Sequence, residues 1–303
     1  QYRGVAGAEL VQRWLVIAFT AACLVFIAVG IGSGQWENAR PLFGSPATPG
    51  GQWGGFLAVL VTVPFWFVGF DTIPQAAEEA SATVKPRQLA MLIVASIVAG
   101  TLFYVLVIAA VAMVGPWTVI VGSDLPAAAA FTAAFGSPLL ARLVLIAALL
   151  GLFTSWNGFF LAGSRVLFAL GRGRIISPWF GETHPRYGTP HRAVLVTGAL
   201  TLLAPFMGRD SLLPFVNAGS FLIAIAFLGV ALSVRRLRRR APGLARPFKM
   251  AGGDTIPNIA AVGAALLLAA MIIPGSPAAL AWPVEIAILG ITSLLAIVFW
   301  FRA

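Results

Sequence analysis

Long apolar blocks, separated by short polar or glycine- and proline-rich stretches, run through the chain from end to end. An α-helix needs about 20 apolar residues to cross the hydrocarbon core of a bilayer. Trimmed where glycine and proline cluster, the charge-free blocks predict an all-α integral membrane protein with eight transmembrane helices. The predicted helices cover residues 13–33, 54–81, 88–113, 139–170, 192–207, 211–234, 256–273 and 280–301.

The composition supports this fold class. Hydrophobic residues make up 59% of the chain and charged residues 10%, whereas soluble domains carry about 25% charged residues. The net charge of +10 would suit a nucleic-acid partner if the protein were soluble. Here the basic residues lie in short loops between apolar blocks, where lipid headgroups attract them. The lipid bilayer is therefore an expected partner, and no nucleic acid is expected.

The positions of lysine and arginine predict the orientation of the chain. If the N-terminus is cytoplasmic, only Arg40, Arg142 and Arg209 of the 20 basic residues fall in outer segments, and the other 17 fall inside. Cytoplasmic loops of membrane proteins carry such an excess of basic residues. The sequence therefore predicts a multi-pass protein of the plasma membrane (the inner membrane of the cell), with both ends of this chain in the cytoplasm.

The second predicted helix carries an interruption. Pro74 has no amide hydrogen and clashes with the preceding turn, and Gly69 has a low helix propensity. Thr72 and Gln75 have the spacing of a capping box, and proline suits the first turn of a new helix. The sequence therefore predicts one discontinuous helix, which stops near Gly69 and starts again near Pro74.

An interrupted helix leaves peptide groups unpaired at membrane depth, which is tolerated only where they face protein or a watery cavity. Secondary transporters use such breaks to bind their substrates. Asp71 lies within the break, where a carboxylate is functional by default; it would also serve as a cap of the second half-helix, and the two roles are compatible. The predicted substrate-binding residues are Phe67, Val68, Gly69, Phe70, Asp71 and Thr72, with Phe65 and Trp66 as gate or pocket candidates.

Two motifs resemble those of one known family. Phe67-Val-Gly-Phe-Asp71, followed by Ala76-Ala-Glu-Glu79, resembles the sixth helix of amino acid–polyamine–organocation (APC) superfamily permeases. The segments 161–172, 177–180 and 184–192 resemble the eighth helix of that family and the cytoplasmic loop after it. The hydropathy pattern of the whole chain is similar to that of family helices five to twelve.

The resemblance implies a partial leucine-transporter-type (APC) fold, in which two inverted five-helix repeats surround the substrate. This chain would contain the last helix of the first repeat, the whole second repeat and two peripheral helices. Residues 1–303 would then form a single polytopic membrane domain, a fragment that lacks the first four family helices. Some proton-coupled relatives carry a lysine in the fifth helix, but residues 14–32 contain none. No cofactor is implied, and the coupling ion, proton or sodium, stays open.

Other polar residues inside predicted helices have two interpretations each. Ser155 and Asn157 interrupt the fourth helix, where small polar side chains commonly hold helices together but where the family's eighth helix also borders the substrate cavity. Asn217 and Ser220 resemble tenth-helix positions near the outer gate, although packing is the simpler explanation. All four are therefore gate or pocket candidates.

The predicted function is secondary active transport of an amino acid or a related amine, by alternating access around the break at 67–74. No catalytic signature appears, and a membrane-embedded enzyme would need a nucleophile–base pair or a metal cluster where only Asp71 is present. His184 and His191 have no Cys or carboxylate cluster nearby, so no metal site is predicted. The alternative is a truncated fragment, or a structural or assembly membrane protein, without transport activity of its own. The identity of the small-molecule substrate and the oligomeric state stay open.

Overall fold

The computed structural model describes residues 6–40, 51–75, 85–121, 123–246, 248–249 and 252–302. Its regular structure over these residues is entirely helical, with no β-strand among them. The predicted all-α fold class is therefore confirmed.

The helices of the described residues follow one another along the chain. In order they are α1 (Ala6–Ser33), α2 (Gly51–Leu60), α3 (Val63–Phe67), α4 (Thr72–Gln75), α5 (Pro86–Val114), α6 (Trp117–Val121), α7 (Pro126–Phe135), α8 (Pro138–Arg172), α9 (His191–Leu203), α10 (Leu212–Arg240), α11 (Thr255–Ile272) and α12 (Val284–Arg302). Short 3-10 turns lie at Trp36–Ala39, Pro178–Gly181, Ala204–Met207 and Arg209–Ser211.

The lengths of these helices support five or six membrane spans in the described part of the chain. Five helices are long and apolar enough to cross a bilayer, and a sixth span results if the bent pair Trp53–Leu60 and Val63–Pro74 counts as one. Each of the eight predicted segments contains a helix, but His191–Met207 and Val284–Phe299 are shorter apolar helices. The number of eight spans stays a prediction.

Prolines explain why one of these helices is short. Pro190 precedes α9, and Pro205 lies just after its last residue. Proline donates no backbone hydrogen bond and clashes with the preceding turn. It is therefore tolerated in the first turn of a helix and disrupts a helix at later positions. The chain continues from α9 as the 3-10 turn Ala204–Met207.

The connection between α5 and α8 contains two helices that were not predicted, α6 and α7. α7 starts with proline and ends at Gly136, whose φ of 59° gives a left-handed cap. Phe131 of α7 is 2% exposed and stacks on Phe26 of α1 with ring centroids 4.5 Å apart. The connection is therefore a packed part of the fold.

The described helices group into two compact units, of which the first contains residues 1–42 and 95–200. In this unit α8 packs against α1 and α7. A Cβ on Gly30 would lie 2.6 Å from the Cβ of Ala110. Glycine therefore allows the backbones of α1 and α5 to approach closely, as small residues do in membrane helix pairs.

The second unit contains residues 43–94 and 201–303. Its α10 packs against α11, α12 and α3. Val61, Met271 and Ala278 form a buried cluster in this unit, with Phe221 among the partly buried side chains packed on it. The prediction that residues 1–303 form a single membrane domain stays a prediction.

Candidate functional site

The helix that contains the predicted site is interrupted between Phe67 and Thr72. α3 ends at Phe67, and Val68 then takes extended angles, with φ −57° and ψ 134°. Gly69 has a φ of +139°, which L side chains rarely adopt. Helical structure resumes at Thr72, so the interruption lies about two residues earlier on each side than the sequence placed it.

Side chains within the interruption close its turn. The Gly69 N–H donates to Asp71 Oδ1 at 2.8 Å, and the Thr72 hydroxyl donates to the Gly69 carbonyl at 2.6 Å. The Thr72 N–H also donates to that carbonyl, at 3.1 Å. Within the described residues, the N–H groups of Phe70 and Asp71 have no hydrogen-bond acceptor. Asp71 thus closes the turn, and among the described residues its own N–H and that of Phe70 are unpaired donors.

The same span has a second break, which was not predicted. The axes of the pair Trp53–Leu60 and Val63–Pro74 differ by 43°. Pro64 cannot donate a backbone hydrogen bond to the carbonyl of Leu60 and crowds the preceding turn. The Thr62 hydroxyl donates to the Val59 carbonyl at 2.8 Å and accepts the indole N–H of Trp66 at 3.1 Å. Pro64 was the available sequence signal for this bend.

α10 packs beside both breaks in the second unit. Ser220 is fully buried, and its hydroxyl donates to the Thr62 carbonyl at 3.4 Å. A Cβ on Gly219 would lie 3.1 Å from the ring of Phe65, and the ring of Phe70 lies 5.9 Å from that of Phe227. The predicted residues Phe65 and Phe70 therefore lie against α10, the helix that carries the predicted residue Ser220.

Glu285 is a buried acid that sequence reasoning missed. It lies in the first turn of α12, is 3% exposed, and accepts a hydrogen bond from Asn217 Nδ2 at 2.6 Å and another from the Ala281 N–H at 2.7 Å. Its signal was a single carboxylate inside the last apolar block of the sequence. The structure thus pairs the predicted residue Asn217 with an acid from a distant helix.

The other two gate or pocket candidates, Ser155 and Asn157, lie in the first unit. Asn157 Nδ2 donates to Gln12 Oε1 at 3.0 Å, and Gln12 Nε2 donates to the Thr154 carbonyl at 3.2 Å. Ser155 is exposed. The contacts of Asn157 tie α8 to α1, which is the helix-holding role that small polar residues have in membranes.

A cavity of about 350 Å³ lies in the first unit between α1, α7 and α8, and its lining includes Phe26, Phe131 and Val144. Its lining residues are all apolar, and none of the predicted site residues is among them. Small-molecule sites combine apolar walls with a few polar groups that orient the ligand, so this cavity is a poor match for a charged amino acid. Within the described residues, no group of three or more His, Cys, Asp or Glu side chains is placed to hold a metal ion.

A family model described as "Amino acid permease" matches residues 1–297. The chain belongs to the amino acid permease family. This confirms the resemblance to APC superfamily permeases, and members of this family are transporters and not enzymes. The several long apolar helices and the family membership together identify the chain as a multi-pass membrane protein.

Several curated relatives are similar to this chain over most of its length. Branched-chain amino acid permease BcaP of Bacillus subtilis is 31% identical, over 86% of this chain and 53% of the relative. The methylthioribose transporter of Bacillus subtilis is 28% identical, over 86% and 54%. Cationic amino acid transporter 7, chloroplastic, of Arabidopsis thaliana is 29% identical, over 77% and 40%. The chain spans about half the length of the curated relatives it matches.

The permease motif at the interruption is only partly described. Residues 76–84, which include Ala76–Glu79 of that motif, lie outside the described residues. The roles assigned to Phe67–Thr72 and to the gate or pocket candidates stay predictions.

Proposed function

We propose that the protein is a secondary active permease for an amino acid or a related amine, which works by alternating access around the interruption at residues 67–74. The observation that carries this proposal is the half-buried turn between α3 and α4, with Gly69 at a φ of +139°. Such turns expose peptide groups to a small guest in other secondary transporters. Membership of the amino acid permease family supports the substrate class.

In this proposal the backbone from Phe67 to Thr72 binds the polar end of the substrate. The N–H groups of Phe70 and Asp71 are donors suited to a carboxylate. Three roles suit a carboxylate at Asp71, which are to fix the unwound segment, to bind an amine or to relay a proton. Its bond to the Gly69 N–H at 2.8 Å supports the first role.

We also propose that the substrate has a neutral, apolar side chain. Phe65 and Phe70 supply apolar surface beside the turn, and the one carboxylate within residues 65–72, that of Asp71, has its Oδ1 bound to the Gly69 N–H. A cationic side chain would compete for the other Asp71 oxygen with the ammonium group that every amino acid carries, and an unpaired buried charge is costly. Among the relatives, the name of BcaP refers to branched-chain amino acids.

The remaining parts of the proposal concern the whole protein. Eight spans and cytoplasmic ends of this chain are supported by the hydropathy blocks and by the distribution of basic residues. A partial leucine-transporter-type fold is what the family resemblance implies. The plasma membrane is the proposed location. The coupling ion, proton or sodium, is left to measurement.

The test is uptake of radiolabelled leucine by proteoliposomes that contain the natural full-length protein. We expect saturable uptake that unlabelled leucine and valine inhibit and that a tenfold excess of lysine does not. Stronger inhibition by lysine than by valine would contradict the neutral substrate. Absence of uptake for leucine, lysine and methylthioribose alike would favour a structural or assembly role without transport.

A further inference from the structure

Glu285 is a buried carboxylate that the proposed transport mechanism does not use. Burying a charged carboxylate is costly unless hydrogen bonds replace its hydration. Both of its oxygens have donors, because Asn217 Nδ2 lies 2.6 Å from Oε1 and the Ala281 N–H lies 2.7 Å from Oε2. These two donors come from different elements of the second unit, α10 and the loop before α12.

The bond to Ala281 fixes the loop before α12. The Glu285 N–H donates back to the Ala281 carbonyl at 3.2 Å, so the two residues are joined in both directions. In the same loop the Leu280 N–H donates to the Met271 carbonyl at 2.9 Å. Ala278, also in this loop, packs with Met271 and Val61 in the buried cluster. The loop that Glu285 fixes therefore forms one wall around Val61, at the bend between α2 and α3.

The bond to Asn217 fixes α10. About one turn further along α10, the Ser220 hydroxyl donates to the Thr62 carbonyl at 3.4 Å. Gly219, next to Ser220, approaches Phe65 so closely that an added Cβ would lie 3.1 Å from the ring. α10 therefore forms the second wall of the bend, beside Thr62.

We infer that Glu285 is a positioning residue for the bend between α2 and α3. Its two oxygens hold the loop before α12 and the helix α10 together, and these two elements enclose Val61 and Thr62. The inference concerns packing within the second unit and is separate from the transport proposal. Only its consequence for transport rests on the proposed function.

Glutamine is the sharpest substitution at this position. It keeps the shape of the side chain but offers one acceptor oxygen and one NH₂ donor, so with the Asn217 amide in its present orientation it cannot accept from Asn217 with one head-group atom and from Ala281 with the other. Hydrogen exchange of the full-length protein in lipid nanodiscs, read by mass spectrometry, measures the effect. We expect Glu285→Gln to speed exchange in peptides that cover residues 57–68 by about tenfold.

The matched control is Glu182→Gln in the first unit. Glu182 accepts from a side chain as well, here the Arg192 guanidinium at 2.6 Å, but its own side chain is 56% exposed. We expect exchange at 57–68 to be unchanged in this variant. Peptides from α8 are expected to keep their wild-type exchange in Glu285→Gln.

Asn217→Ala tests the link to α10 separately, because it leaves the bond between Glu285 and Ala281 in place. We expect faster exchange at 57–68 in this variant as well, and no further increase in the double variant with Glu285→Gln, since both changes break one connection. This arm decides the inference if Glu285→Gln does not fold. Unchanged exchange at 57–68 in the variants that fold, with any effect confined to residues 278–288, would overturn it.

Uptake gives an independent readout. Because Glu285 would act on the bend and not on the substrate, we expect Glu285→Gln to lower the maximal rate of leucine uptake several-fold with little change in KM. A raised KM at an unchanged maximal rate would contradict the positioning role. If the wild-type protein takes up no amino acid, the proposed function fails, and hydrogen exchange still decides the role of Glu285.

Discussion

At Gly69 one backbone angle shapes the turn between α3 and α4. A φ of +139° is open to glycine and strained for other residues. The turn is then closed by its own neighbours, because Asp71 accepts the Gly69 N–H and Thr72 donates to the Gly69 carbonyl. Residues 69–72 therefore hold this turn through contacts with one another.

Replacing Gly69 by leucine tests the turn. A β-carbon at this φ costs about 1–3 kcal/mol, and we expect the chain to relieve the strain by changing the turn. Initial leucine uptake in proteoliposomes should then fall more than tenfold. Gly263→Leu is the control, because Gly263 lies within α11 and an added Cβ meets no atom within 4 Å. A wild-type rate of uptake in Gly69→Leu would contradict the assignment of this turn to the substrate site.

The sequence predicts structural features that depend on residues close together in the chain. Glycine, proline and capping residues pointed to the region of the turn at 68–72, since their effects act within one or two turns of helix. The bond between Glu285 and Asn217 joins residues 68 positions apart, and the bond between Ser220 and Thr62 joins residues 158 apart. No local sequence pattern pairs such residues, so these two contacts could not be predicted from the sequence.

At the level of elements, α7 shows what a search for membrane spans leaves out. It has 10 residues, too few to cross a bilayer, and its alanine-rich sequence gave no signal of its own. Its burial comes from tertiary contacts. A Cβ on Gly115 would lie 3.1 Å from the Cα of Ala130, and Phe131 stacks on Phe26. The long helices, by contrast, follow directly from apolar blocks and from the prolines at their ends.

Phe131→Ala tests whether α7 contributes to the stability of the first unit. Removing a buried phenylalanine side chain leaves a cavity and costs about 3 kcal/mol. We therefore expect a lower midpoint of thermal unfolding. The measurement is made in detergent with intrinsic tryptophan fluorescence. Phe206→Ala is the control, because Phe206 is 87% exposed and its loss should leave the midpoint nearly unchanged. Equal midpoints for the two variants would mean that α7 is not part of the stable core.

For the whole molecule, the distribution of charge predicts the orientation. α10 ends in the run Arg235–Arg240, and Arg238 is used within the protein, where it donates to Asp254 Oδ1 at 3.0 Å and to the Gly253 carbonyl. These contacts tie the end of α10 to the start of α11. Arg236, Arg239 and Arg240 are exposed, as expected for side chains that meet lipid headgroups. The run therefore contributes to the contact between α10 and α11 and to the excess of basic residues on one side of the predicted arrangement.

Labelling of single cysteines tests the orientation directly. In a background where Cys23, the one cysteine of the chain, is replaced by alanine, Asp210→Cys reports on the connection between α9 and α10 and Gly243→Cys on the connection between α10 and α11. Both positions are exposed. Because 17 of the 20 basic residues fall on the side of Gly243 in the predicted arrangement, we expect a membrane-impermeant maleimide to label position 210 in intact cells and position 243 only after permeabilisation. The reverse pattern would place both ends of this chain outside and would require another explanation for the basic loops, whereas labelling of both positions in intact cells would mean that α10 does not cross the membrane.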